Sequence, residues 1–314
     1  MKEFVINDNQ SNKRLDKFLM TLLPKAPSSF IYKMLRKKNI KLNGSRAEGN
    51  EKLNVGDKVN IYLSDETFDS FAADVEKKEN EYSEAYKKIR GVRVVYEDKN
   101  ILIMDKPGNV LSQKAKPDDL SLNEWMIGYL LAKNIISIED LKTFKPSVLN
   151  RIDRNTKGLV IGAKSLKGSQ TVSLMLKDRT LKKYYKATVH GIVTEERYLE
   201  GYIIKDPETN KVTVYNEKPA ALKDYEKPQL IKTFYRPIES FDNKTILEIE
   251  LITGKSHQIR AHLASVGYPV VGDMKYGTAD RRIVHGNGQD LVAYKLIFPE
   301  KCDIESLNGR VVEI

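Results

Sequence analysis

The chain has 314 residues, 40% of them hydrophobic, and a net charge of +10 from 53 Lys and Arg against 43 Asp and Glu. That length supports a substantial core and two domains, while no apolar run approaches the roughly 18–20 residues that span a membrane. One cysteine, Cys302, excludes an intrachain disulfide and a cysteine metal cluster, and the pI near 9.3 suggests a polyanionic partner, nucleic acid first, unless the chain is simply lysine-rich.

The opening residues Met1-Lys2-Glu3-Phe4 lack the apolar core of a signal peptide, so a cytoplasmic protein is expected. A small module of residues 1–64 comes first. Asn12 is a candidate cap for a helix with Leu15, Phe18, Leu19 and Leu22 on one face. Pro24 and Pro27 break it. Ser28 is a candidate cap for a second helix that buries Ile31, Met34 and Leu35. Lys33, Arg36 and Lys37 share another face of that helix, and Lys38 extends it. A face with several cations and almost no acids suits phosphate contact, which needs charge but no base sequence. Short strands follow around the Asn43-Gly44 and Gly56-Asp57 turns.

Residues 65–88, including Glu76-Lys77-Lys78-Glu79-Asn80-Glu81, are charged and weakly apolar and read as a flexible linker. A second domain, 89–314, begins with strands at Val92–Tyr96 and Ile101–Met104, the latter ended by Lys106-Pro107-Gly108. Strands then dominate: Leu181–Val189, Lys211–Tyr215, Lys232–Arg236 and Thr245–Leu251. Helices are expected at Ser165–Lys177 and near Ser256–Val266. Strands in succession, rather than regular alternation with helices, predict an α+β class with a largely antiparallel mixed sheet.

Three segments carry candidate chemistry. In Asn150-Arg151-Ile152-Asp153-Arg154-Asn155-Thr156-Lys157-Gly158-Leu159, one carboxylate sits between two arginines in a loop joining two strands. Nearby positive charge favours the ionised carboxylate, and an ionised aspartate in a cleft can act as a nucleophile; a surface ion pair is the plainer alternative. In Leu181–Val189, alternation puts Tyr185 on the apolar face and Tyr184 on the other, so Tyr185 is either a core tyrosine or a phenol projecting into a cleft. In Thr253-Gly254-Lys255-Ser256-His257-Gln258-Ile259-Arg260-Ala261-His262-Leu263, His257 and Arg260 share a helix face. From there Arg260 could reach the Asp153 loop and order the carboxylate by a bidentate pair. His257 and His262 stand five residues apart, a spacing that does not converge on one metal ion; no metal is expected.

Residues Asn12–Leu63 resemble an S4 RNA-binding domain. The likeness rests on Arg14-Leu15-Asp16, the Lys33, Arg36, Lys37, Lys38 helix, Ile40-Lys41-Leu42-Asn43-Gly44 and Val55-Gly56-Asp57-Lys58-Val59. Val92–Pro299 resembles the RluA-type RNA pseudouridine synthases. Here the likeness rests on Arg151–Thr156 with Gly158-Leu159, on Lys183–Ala187, and on the block from Thr253-Gly254 through Gly267-Tyr268-Pro269, Gly272-Asp273 and Tyr276-Gly277. The resemblance implies isomerisation of uridine in RNA without any cofactor. Asp153 would be the catalytic aspartate, Tyr185 the tyrosine stacking near the uracil and a candidate general base, and Arg260 the aspartate's partner. Arg14, Lys33, Arg36, Lys37, Lys38, Arg151, Arg154, Thr156, Lys255 and His257 would contact RNA. An S4 module before this domain is typical of members that modify large-subunit ribosomal RNA, which makes that RNA or its precursor the expected partner and a monomer the default. Transfer RNA, or a non-catalytic RNA-binding assembly role, are the alternatives. Asn150, Lys157 and Lys255 depart from the family's usual His or Arg, Ser, and Arg. The first two flank the catalytic loop and could alter RNA contacts.

Overall fold

A computed structural model describes residues 1–72, 75–220, 227–277 and 288–314. Strand β1 (Lys2–Val5) is followed by helices α1 (Leu15–Leu22) and α2 (Ser28–Arg36), then β2 (Ile40–Leu42), β3 (Ser45–Arg46) and β4 (Lys58–Ile61). The four strands form a sheet in the order β1-β4-β2-β3. Leu15, Phe18, Leu19 and Leu22 of α1 and Ile31 and Leu35 of α2 share one core with Ile40, Val59 and Ile61. The capping expectations shift slightly. Asn12 adopts φ 63°, and Arg14 and Pro27 stand at the caps of the two helices, neither using a side-chain bond. Asn43 and Gly44 both take positive φ, as a tight hairpin turn of this type requires.

The stretch read as a flexible linker is helical. α3 (Asp65–Phe71) is capped by the Ser64 hydroxyl, which accepts from the Thr67 amide, and its Phe68 joins the first core. Residues 73–74 lie outside the described residues. α4 (Val75–Lys88) packs on α5 (Leu122–Ala132). Tyr82 and Ala85 are buried, and Tyr86 packs on Trp125 and Tyr129. Tyr82, Ala85, Tyr86 and Ile89 recur at helical spacing, an apolar stripe that the surrounding charges outnumber. The contact is close, because a Cβ at Gly128 would stand 2.2 Å from the Tyr82 carbonyl oxygen. A bond from Gln10 Nε2 to Thr143 Oγ1, 2.7 Å, also joins the first module to the second.

The larger sheet contains β5 (Arg93–Glu97), β6 (Ile101–Lys106), β7 (Ser147–Val148), β8 (Lys157–Ala163), β9 (Lys182–His190), β10 (Arg197–Lys205), β11 (Val212–Tyr215), β12 (Gln229–Phe241), β13 (Lys244–Leu251), β14 (Leu291–Ile297) and β15 (Val311–Glu313). The order is β11-β10-β12-β13-β9-β14-β8-β6-β5, with β7 beside β8 and β15 beside β14. The β14–β8 pair is parallel and the others are antiparallel. The α+β class with a largely antiparallel sheet is therefore what the chain adopts. α6 (Leu166–Asp178), capped by Ser165, covers one face with Val172 and Met175 against Ile101, Ile103, Leu159 and Ile161. On the other face, α5 and α7 (Gln258–Ser265) enclose the main core with Met104, Val160, Tyr185 and Ile249.

Gly158 is where β8 and β14 come closest. Its φ is +111°, and an added Cβ would stand 2.2 Å from the Ala293 carbonyl oxygen. Gly158→Ala should destabilise the protein by about 3 kcal/mol or more, through overpacking against rigid backbone plus left-handed strain. Urea denaturation measures this, and an unchanged midpoint would show that the strands can separate at little cost.

Candidate active site

Asp153 lies in the loop between β7 and β8, half-buried, with Arg151 and Arg154 exposed on either side. Backbone accounting explains why this polar loop is ordered. The Ser112 hydroxyl donates to the Ile152 carbonyl at 2.9 Å and accepts from the Ile152 amide at 3.2 Å. The Thr156 amide closes a turn onto the Asp153 carbonyl at 3.1 Å. Asn150 accepts from the Ile161 amide at 2.7 Å, so this departure from the family pattern braces β8 rather than reaching toward RNA.

Below the loop lies Lys106, wholly buried. Its Nζ donates to the carbonyls of Pro107 (2.9 Å), Val110 (2.7 Å) and Arg154 (2.9 Å). Burial pushes its pKa down to about 7, opposed by the charges of Asp153 and Asp105. The three carbonyls call for the ammonium form, since a neutral amine has only two N–H groups to offer. Lys106→Met strands all three acceptors, each costing about 1–3 kcal/mol when buried and unpaired. The expected result is a clearly lower melting temperature and a fall in kcat exceeding any rise in KM, because one of the lost bonds, to the Arg154 carbonyl, holds the Asp153 loop and none holds substrate. Equal kcat in wild type and variant would remove Lys106 from loop positioning.

Arg260 reaches the loop from the first turn of α7. Its Nη1 donates to Asp153 Oδ2 at 2.7 Å. The two-pronged contact predicted for Asp153 goes instead to Asp273, with Nε to Oδ2 at 2.6 Å and Nη2 to Oδ1 at 2.7 Å. Asp273 Oδ1 also accepts the amides of Lys275 and Tyr276. Burial opposes Arg260's charge, but Asp273 and Asp153 outweigh it and raise its pKa. Burial would likewise raise the Asp273 pKa, but Arg260 and the two amides hold it below the usual carboxylate range. The guanidinium also lies 5.3 Å from the Tyr276 ring centre.

His257 caps α7 in a left-handed conformation, φ 55°. Tyr276 Oη accepts the Val212 amide at 2.9 Å and lies 2.8 Å from His257 Nδ1. Either partner can donate this bond, because a phenol oxygen that accepts one amide keeps a second lone pair. Burial, more than any neighbouring charge, lowers the His257 pKa. His262 is buried against Thr233, and burial pushes it down to about 4. Tyr185 lies on the core side of β9, 5% exposed. Burial and the nearby Asp153 charge push its phenol up, so it stays protonated at neutral pH and is a poor base.

Asp153, Tyr185, Arg260 and His257 thus converge. One of the expected RNA contacts does not reach outward. Thr156 is buried and accepts from Gln289 Nε2 at 2.7 Å. Arg14 is exposed and pairs with Asp16 at 2.9 Å, and Asp16 also accepts from the Tyr32 hydroxyl. Lys33, Arg36, Lys37, Lys38 and Lys255 are exposed. Sequence reasoning missed Asp273, Lys106, Tyr276, Ser112 and Gln258. Gln258 fixes the entry to α7 by accepting from Thr253 and the Lys255 amide and donating to the Lys232 carbonyl. Asp273 and Tyr276 stood inside quoted motifs, but nothing in their spacing revealed their partners.

A mixed sheet thus brings together an aspartate loop, a core tyrosine and a carboxylate-clamped arginine. Residues 100–265 match the RNA pseudouridylate synthase family, more than half the chain, and the protein belongs to it. The chain is 30% identical to an RNA pseudouridine synthase of Mycoplasma capricolum, over 99% of this chain and 97% of that one. It is 28% identical to the ribosomal large subunit pseudouridine synthase C of Vibrio cholerae, over 88% and 80%. Human RNA pseudouridylate synthase domain containing 4 shares the fold, with a TM-score of 0.57 at 19% identity over 75% of this chain and 92% of that one.

Proposed function

We propose that this protein isomerises specific uridines to pseudouridine in large-subunit ribosomal RNA or its precursor. The observation that carries the reading is Asp153, half-buried and pinned by Arg260, with the buried Tyr185 near enough to feel its charge. Similarity to a large-subunit synthase supports the choice of RNA. The target base leaves its stack at a cost of a few kcal/mol, which phosphate contacts to Arg151, Arg154 and Lys255 offset. The N1–C1′ bond breaks, the uracil turns, C5 bonds to C1′, and the C5 proton is lost while N1 gains one. Asp153 assists departure of the uracil. Arg260 keeps that carboxylate aimed. Tyr185 supplies a ring face and a hydroxyl donor. With its phenol held protonated, the C5 proton passes more readily to the carboxylate of Asp153 once that is free.

The N-terminal module, with Lys33, Arg36, Lys37 and Lys38 exposed, acts as an S4-like grip on structured RNA. The protein works as a monomer in the cytoplasm, and among the described residues no helix is long and apolar enough to cross a membrane. Single-nucleotide pseudouridine mapping of total RNA tests the reading, in cells lacking the protein and in cells restored with wild type or Asp153→Ala. Loss at a few large-subunit sites, restored by wild type alone, is expected. Loss confined to transfer RNA would move the substrate, and an unchanged map reproduced by inactive purified protein would leave only RNA binding.

A further inference from the structure

The face of β9, β10, β12 and β13 that holds Tyr185, Leu199, Tyr235 and Ile249 is buried in the main core. The opposite face is open: Tyr198, Lys186 and Arg236 are exposed, and Tyr184, Lys232 and Phe234 are half-buried. Strand register aligns one row across it. Tyr198 stands opposite Phe234, Phe234 opposite Glu250, Glu250 opposite Tyr184, and Tyr184 opposite Lys295. Side chains two residues apart on a strand share a face, so each inner ring is flanked by cations on its own strand. Lys232 and Arg236 flank Phe234, and Lys182 and Lys186 flank Tyr184.

We propose that this open face is a second RNA-binding surface, which takes a single-stranded stretch of the substrate away from the reacting uridine. Rings in a row on a sheet offer stacking surfaces to unpaired bases, and flanking cations meet the phosphates between them. Charge favours a polyanion, since Lys182, Lys186, Lys232, Arg236 and Lys295 oppose Glu200, Glu248 and Glu250 on this face. Three cations are tempered by ion pairs: Lys232 with Glu200 at 2.9 Å, Arg236 with Glu248 at 2.6 Å, and Lys295 with Glu248 at 3.4 Å. Lys182 and Lys186 have no carboxylate partner among the described residues. Lys186 instead lies 4.2 Å from the Tyr294 ring centre. Duplex RNA presents no unstacked bases, so the surface selects single strands. The inference rests on RNA being the substrate, but not on which uridine is modified.

The test is fluorescence anisotropy of the full-length protein with a labelled RNA of about twelve alternating adenosines and cytidines, a length within single-strand site sizes. That RNA has no uridine for the active site. Tyr198→Ala and the double variant Lys182→Glu/Lys186→Glu should each weaken binding about tenfold, the double variant also flattening the salt dependence. Ultraviolet crosslinking of the wild type to the same RNA, read by mass spectrometry, should mark peptides from β9, β10 and β12 without any substitution. Unchanged affinity in both folded variants, crosslinks confined to α2, no binding by the wild type, or equal binding of a duplex would each overturn the proposal. Conversion of a uridine-containing RNA by the wild type is scored separately. Binding through this face by a protein that converts nothing would keep the surface and remove the enzymatic reading.

Discussion

Asp153→Asn should lower turnover on a target-containing RNA by roughly 10⁴-fold or more, the scale seen when a reacting group is removed, while RNA affinity changes by only a few-fold. The amide keeps the shape and can still accept from Arg260 Nη1, now 2.7 Å from Asp153 Oδ2. What disappears is the negative charge, the property a nucleophile or proton acceptor needs. The arginine stays in place because Asp273 holds it through two bonds, so the variant should fold and bind normally. Single-turnover rates and filter binding on the same preparation provide the check. Turnover near the wild-type rate would remove Asp153 from the chemistry.

Arg260→Met should both inactivate the enzyme and destabilise it by about 3–5 kcal/mol, the usual cost of stripping one partner from a buried pair. A loss of that size lowers the melting temperature by on the order of 10 °C. The stranded group is Asp273, whose side chain is 0% exposed. In wild type its pKa is depressed, so its contribution to stability is complete above the unfolded value near 3.9. That contribution is lost only as pH falls through the lower folded value. In the variant, burial is opposed only by the Lys275 and Tyr276 amides, and the Asp273 pKa rises. The penalty is then largest at neutral pH and shrinks as the solution is acidified toward pH 4. A melting-temperature gap between wild type and variant that stays constant over this range would refute the account. Arg260→Met combined with Asp273→Leu should recover most of the stability and none of the activity, which separates aiming the carboxylate from holding the fold.

How legible the site was depended on whether its parts were local. Asp153 between two arginines is a contiguous signal, and Tyr185 and Arg260 sit in segments whose periodicity gives their faces. Asp273 lies thirteen residues beyond Arg260 in an irregular segment, so only the folded chain reveals that it takes the stronger clamp. Lys106 was opaque for another reason: nothing in a sequence marks a lysine whose ammonium will be wrapped in carbonyls. Thr156 looked like an RNA contact because a polar residue beside a motif does not disclose whether a neighbour has already claimed it. Composition misled at α4, where charge hid the stripe through Tyr82 and Tyr86. At α5 burial on nearly every side removed the one-sided pattern by which helices are recognised.

The placing of β14 bears on when the protein becomes competent. The loop of Asp153 leads into β8, and Tyr185 lies on β9, yet these two strands do not pair; β14, residues 291–297, stands between them. On a translating ribosome, more than a hundred residues separate the end of β9 from the end of that strand. At about 5–20 residues per second the interval is on the order of ten seconds. Through it β8 and β9 each present an unpaired edge, and the Asp153 loop has no fixed distance to the tyrosine. The nascent chain is therefore most exposed to mispairing late in synthesis, and it gains the power to act on RNA only once residues 291–297 have emerged.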